Sequence, residues 1–121
     1  MIADIFKREG VDHLFCFPVN PLIDAAAEAG IRPIMACTER SVIGMADGYT
    51  RVNNGRRIGV CAVQMGPGIE NTLGGIAQAY ADSTPIFCLP GGPPPNSIIG
   101  PAKFRSSYEL PAHRQMGGPH Q

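Results

Sequence analysis

Apolar and polar positions along this chain switch between short unbroken apolar runs and stretches with helical spacing, and that switching predicts alternating strands and helices. Ile2, Ile5 and Phe6 recur at helical intervals with Gly10 as a stop, so the chain opens on a short amphipathic helix. His13-Leu14-Phe15-Cys16-Phe17 then reads as a buried strand. Asn20 before Pro21 reads as a helix start, with a capping side chain and a proline at the first helical position, and Gly30 ends that helix. Pro33 to Cys37 is the second apolar run. A third helix follows from Glu39 to about Asn54, where Asn53-Asn54-Gly55 can supply left-handed residues. Ile58 to Val63 forms the third run and leads into the turn Gly66-Pro67-Gly68. A fourth helix passes through Asn71, Leu73, Ile76, Ala77 and Tyr80, Asp82-Ser83 closes it, and Thr84 to Leu89 is the last strand. Strands alternating with helices in this way build a parallel sheet with helices packed on its faces.

The pattern stops at about Gly91. Seven of the twelve prolines (Pro90, Pro93, Pro94, Pro95, Pro101, Pro111 and Pro119) fall beyond Leu89, so residues 1–90 are expected to form the domain and 91–121 a Pro/Gly-rich loop or disordered tail. The domain looks unfinished there, as a truncated piece of a longer protein would. Within the third helix, Gly44 and Gly48 lie one turn apart. Each glycine costs a soluble helix about 1 kcal/mol relative to alanine, so the pair predicts close approach of another backbone, either the sheet or a partner subunit.

With 121 residues, 44% of them hydrophobic, and a formal charge of zero, the chain has the makings of one globular domain. Balanced charge and 7% aromatic content argue against nucleic acid or an anionic membrane surface as a partner. No apolar run has the length of a membrane span and the first residues carry acids, so the expected location is the cytoplasm. Cys16, Cys37, Cys61 and Cys88 each fall in a different apolar run without a CxxC pair, and they read as small core residues rather than metal ligands.

Chemistry concentrates at the strand exits. Glu39 sits where the second apolar run gives way to a helix, at the carboxyl end of a strand, where open α/β sheets bind ligands. Partial desolvation there suits a carboxylate that handles protons, although a helix N-terminal acid is also favoured by about 0.3–1 kcal/mol through the helix dipole with no function at all. The Gly-Pro-Gly turn after the next strand and Pro18 after the first face the same end. Gly66-Pro67-Gly68 fails as a dinucleotide fingerprint, because Asn71 stands where the third glycine belongs and no acid occurs in Thr84 to Leu89. No Gly-Lys-Ser or Gly-Lys-Thr occurs either.

Four motifs in order carry a resemblance: Phe15-Cys16-Phe17-Pro18; Thr38-Glu39-Arg40 with Ala46-Asp47-Gly48-Tyr49-Thr50-Arg51; Gly66-Pro67-Gly68-Ile69-Glu70-Asn71; and Ala77-Gln78-Ala79-Tyr80-Ala81-Asp82-Ser83-Thr84-Pro85. Over roughly the first ninety residues the chain resembles the N-terminal pyrimidine-binding domain of thiamine-diphosphate enzymes of the acetolactate synthase and 2-oxoacid decarboxylase group. The resemblance implies a flavodoxin-like, doubly wound sheet with helices on both faces. It also implies that Glu39 is the catalytic acid sharing a proton with N1′ of the cofactor's aminopyrimidine. Pro67, with Gly66 and Gly68 of its turn, and Asn71 beyond it would then pack against or hydrogen-bond that ring, and the backbone near Pro18 would line the pocket.

Departures limit what carries over. Val19, Thr38 and Gln64-Met65 stand where the group commonly has glycine, histidine and a small hydroxyl residue with glycine, so the particular 2-oxoacid does not transfer. The group binds diphosphate through Mg²⁺ with a Gly-Asp-Gly segment that this chain lacks, Ala46-Asp47-Gly48 being inside a predicted helix. The resemblance therefore implies half a site: thiamine diphosphate held here by its pyrimidine, no metal ligand in this chain, and diphosphate and Mg²⁺ held by a partner domain or subunit in a homo- or hetero-oligomer. The alternatives are a non-catalytic association or regulatory domain using the Gly44 and Gly48 face, and a nucleotide-binding α/β domain.

Overall fold

A computed structural model describes residues 2–92; from residue 93 on, the expected tail lies outside the described residues. Nine elements follow one another: α1 (Ile2–Arg8), β1 (His13–Cys16), α2 (Asn20–Glu28), β2 (Arg32–Met35), α3 (Glu39–Val52), β3 (Gly59–Val63), α4 (Pro67–Glu70), α5 (Leu73–Ala81) and β4 (Ile86–Pro90). The strands are all parallel in the order β2-β1-β3-β4. The chain thus winds one way from β1 to β2, crosses back over β1 through α3, and continues outward to β4. That reversal makes the fold doubly wound and flavodoxin-like, with its crevice where the carboxyl ends of β1 and β3 diverge.

Period-2 alternation along the strands divides the core in two. Leu14, Cys16, Val60 and Ala62 meet Phe6 of α1 and Ala26 of α2 on one face. Phe15, Cys61 and Val63 meet Val42, Ile43 and Ala46 of α3 on the other, with Ile76 of α5 against them. Every residue of β3 is buried, as a central strand covered by helices on both sides requires.

Two close approaches set the spacing of the α3 layer. A Cβ on Gly59 would stand 2.1 Å from the Ala46 carbonyl oxygen, and one on Gly75 would stand 2.7 Å from Ile43 Cγ2. Glycine at those two positions lets β3 and α5 press against α3. The expected contact at Gly44 and Gly48 is not made within the described chain, since a Cβ at either meets nothing within 4 Å. Thr50 completes the seam. Its buried hydroxyl lies 2.9 Å from the Pro85 carbonyl oxygen and 3.2 Å from that of Ala46, and it accepts from the Gly59 N–H at 2.8 Å.

Several local expectations are corrected. The residue capping α2 is Val19, without a side-chain bond, so Asn20 begins the helix instead of capping it. The single fourth helix is two, because the buried Thr72 turns its hydroxyl back to the Ile69 carbonyl at 2.6 Å between α4 and α5. Cys16 and Cys61 are core residues, whereas Cys37 is exposed and Cys88 half-buried: Cys37 lies past the end of β2 and Cys88 lies on the last described strand. Ile2 and Ile5 stand 43% and 55% exposed, leaving Ala3 and Phe6 to seat α1. Asn54 and Gly55, with φ of 52° and 70°, end α3 as expected.

Candidate functional site

Thr38 turns the chain out of β2 and into α3. Its backbone is extended, and its hydroxyl accepts the Ser41 N–H at 3.2 Å, so the first helical residue is Glu39. Glu39 is thereby set at the positive end of a fourteen-residue helix, a position favourable to its charge. Its side chain is half-buried and makes no ion pair among the described residues.

The second wall is the turn after β3. Gly66 has φ 65° and ψ −122°, a combination that disfavours any side chain, and Pro67 follows at the first position of α4. This turn points buried Gly68 at the carboxylate: a Cβ there would lie 3.4 Å from Glu39 Oε1 and 3.0 Å from Gln64 Cβ. One turn later, Asn71 Nδ2 donates to Glu39 Oε2 at 3.4 Å. The two carboxylate oxygens are therefore differentiated, Oε2 facing the amide and Oε1 the bare backbone of Gly68.

Of the residues picked from sequence, Glu39, Gly68 and Asn71 come together, with Gly66 and Pro67 shaping the turn that brings them. Pro18 is half-buried after β1, where the neighbouring Phe17 N–H bonds the Ala62 carbonyl at 3.1 Å, and it has no hydrogen bond to the Glu39 group. Sequence reasoning missed Thr38 as the cap that fixes Glu39 and Gln64 as the side chain behind Gly68. The Thr38-to-Ser41 spacing was the available signal for the first; nothing local marked the second.

A different cluster occupies the amino ends of the strands. Asp12 Oδ1 accepts the Tyr49 hydroxyl at 2.6 Å and faces His13 Nδ1 at 2.7 Å, and the Arg57 guanidinium reaches Oδ2. The Tyr49 hydrogen bond above all, with His13 and Arg57 assisting against the opposing effect of burial, lowers the Asp12 carboxyl to about 2. A cavity of about 700 Å³ opens beside it, lined by Ile2, Ile5, Ile58 and Phe87 among others. It lies at the opposite end of the sheet from Glu39. Among the described residues no group of three or more His, Cys, Asp or Glu is placed to hold a metal, and no helix is long and apolar enough to cross a membrane.

Residues 1–105 match the family described as thiamine pyrophosphate enzyme, N-terminal TPP binding domain. The chain is 34% identical over 111 residues to an acetolactate synthase of Arthrospira platensis, covering 86% of this chain and 19% of that protein. It is 40% identical over 91 residues to the probable 2-ketoarginine decarboxylase of Pseudomonas aeruginosa, covering 73% of this chain and 16% of that protein. The fold superposes on 78% of this chain and 18% of the solved benzoylformate decarboxylase of Polynucleobacter necessarius, with a TM-score of 0.68 at 21% identity. The chain therefore spans about a fifth of the length of these relatives, 16–19% for the three.

Proposed function

Because the chain belongs to the thiamine pyrophosphate enzyme family, through its N-terminal TPP binding domain, we propose that it supplies the pyrimidine-binding half of a thiamine-diphosphate site acting on a 2-oxoacid. The reaction is decarboxylation or carboligation of the acetolactate-synthase kind. One observation carries the reading: a half-buried carboxylate without an ion pair among the described residues, set at a helix N-terminus, with a glycine backbone against one oxygen and an amide against the other. That donor set fits an aminopyrimidine. The ring is flat, which the missing side chain at Gly68 accommodates, and its nitrogens need one partner that holds a proton and one that orients.

Thiamine diphosphate, when bound, would supply a carbon nucleophile and the electron sink for the bonding pair left behind when the substrate's carboxylate departs as CO₂. The chain's residues do the rest of this half. Glu39 shares a proton with ring nitrogen N1′, acting as the site's acid. Asn71 holds the Glu39 carboxylate in position, Gly66 and Pro67 keep the turn rigid, and Pro18 lines the crevice from β1. Diphosphate and Mg²⁺ are held by a diphosphate-binding domain or subunit of the same family, in a homo- or hetero-oligomer located in the cytoplasm. Residues 1–90 form the pyrimidine-binding unit.

The test is reconstitution. The chain with thiamine diphosphate and Mg²⁺ should release no CO₂ from a panel of 2-oxoacids, and adding the diphosphate-binding polypeptide should restore release. Turnover by the chain alone, or a stable complex that never turns over, would contradict the proposal. A second reading, an association or regulatory domain, draws on the open flank of α3 at Gly44 and Gly48 and on Leu73 and Tyr80 of α5, 59% and 86% exposed. It predicts a complex whose activity ignores Glu39.

A further inference from the structure

Cys61 and Cys88 are register partners on the adjacent parallel strands β3 and β4, and both side chains enter the core beneath α3. Neighbouring strands lie about 4.7–4.9 Å apart, inside the range of about 4.4–6.8 Å between Cα atoms that a disulfide spans. Side chains standing parallel on such strands keep roughly that separation at Cβ, a few tenths of an ångström beyond the usual disulfide range of about 3.5–4.5 Å. A small local twist of one strand, which tilts its Cβ toward the other while the ladder hydrogen bonds are kept, closes the difference. β4 is free to make it, because among the described residues no strand pairs with its outer edge. Both cysteines are free thiols, Cys61 buried and Cys88 half-buried.

We propose that Cys61 and Cys88 form a reversible intrachain disulfide when the protein meets a peroxide, tying the last described strand to the strand that leads into the Gly66-Pro67-Gly68 turn. The two thiols have distinct parts. The buried Cys61 thiol donates to the Phe87 carbonyl at 3.5 Å, which keeps its proton in place, whereas the half-buried Cys88 is the sulfur that a peroxide reaches first. Cys88, as its thiolate, is therefore the attacking sulfur. Its sulfur bonds one peroxide oxygen as the O–O bond breaks; the departing hydroxide takes a proton and leaves as water, and Cys88 becomes a sulfenic acid. Cys61 sulfur then attacks Cys88 sulfur, the S–O bond breaks, and the Cys61 proton leaves with that oxygen as a second water. Two thiols lose two electrons and peroxide gains them. Cys16 is not arranged for this, its sulfur lying 3.3 Å from Met35 Sδ in the other half of the core.

The test uses the full chain carrying Cys37→Ser, which removes the exposed thiol. After brief treatment with hydrogen peroxide, the protein is denatured, alkylated with iodoacetamide and cut with trypsin. Cys61 and Cys88 share the tryptic peptide 58–103, which contains no internal Lys or Arg. The expected product is that peptide unalkylated and about 2 Da lighter than its dithiol form, for two hydrogens lost, and returned to the doubly alkylated form by prior dithiothreitol. A sulfoxide at Met65 would shift both forms equally. Double alkylation after peroxide, or sulfinic acid at Cys88 with Cys61 still alkylated, would overturn the proposal. Cys88→Ser should abolish the mass loss, and persistence of the loss in that variant would overturn it equally.

Discussion

Replacing Thr50 by valine keeps the shape of a side chain that is 1% exposed and deletes its hydroxyl. That hydroxyl is the partner of the Gly59 N–H at 2.8 Å and of the Pro85 carbonyl at 2.9 Å, at the entries of β3 and β4. A buried polar group left without a partner costs about 1–3 kcal/mol. Two such groups, less about 0.8 kcal/mol for the methyl gained, give a net loss of about 1–5 kcal/mol. A domain of this size has about 5–13 kcal/mol of total stability, so the loss is a large fraction and easily read. Urea unfolding followed by far-ultraviolet circular dichroism should show a lower midpoint at unchanged slope. Thr50→Ser, which keeps the hydroxyl, should lose clearly less than the valine variant. A valine variant within about 0.5 kcal/mol of the parent, on the same scale of buried hydrogen bonds, would refute the view that this hydroxyl joins α3 to the sheet.

The Asp12 carboxyl, lowered to about 2 from 3.8, stabilises the fold above its unfolded value, and the contribution disappears as pH falls from about 4 to about 2. Because Asp12 is 38% exposed, the contribution is discounted to about 1 kcal/mol. Urea midpoints of the parent and Asp12→Asn should converge across that window, and a constant gap down to pH 2 would count against it. Gly68→Ala should weaken cofactor binding. An alanine Cβ would stand 3.0 Å from Gln64 Cβ and 3.4 Å from Glu39 Oε1, filling the space left for the ring. The reconstituted complex should then need about tenfold more thiamine diphosphate for half-maximal activity, and an unchanged requirement would show that Gly68 is not part of the ring's seat.

The strands and helices were legible because their signals are local. Leu14 and Cys16 against Phe15 show period-2 alternation, and the core follows it face by face. Small-residue contacts were not legible in the same way. Gly44 and Gly48 carry the sequence pattern of a close approach, yet the approaches occur at Gly59 and Gly75, which are set by how α3 lies across the sheet. Exposure at Ile2 and Ile5 escaped for a similar reason, since helical spacing shows which side chains share a face without showing what covers it. At the site, Glu39 was legible from its place after an apolar run. The meeting of Asn71 with Glu39, 32 residues apart, came from the order of motifs and not from either residue's surroundings. Thr38 drew notice as a departure from a family pattern, when its work in this chain is to cap α3.

The measurement closest to the central claim is the 2-oxoacid decarboxylation rate of the reconstituted complex carrying Glu39→Gln, at saturating thiamine diphosphate and Mg²⁺, together with cofactor binding by calorimetry. Glutamine keeps the shape and removes the acid, so the rate should fall by at least about 100-fold, the scale of a lost acid–base group, while the cofactor still binds. A variant that binds the cofactor and turns over within about twofold of the parent, far inside the range expected for such a group, would contradict the assignment of Glu39 as the acid of this half-site.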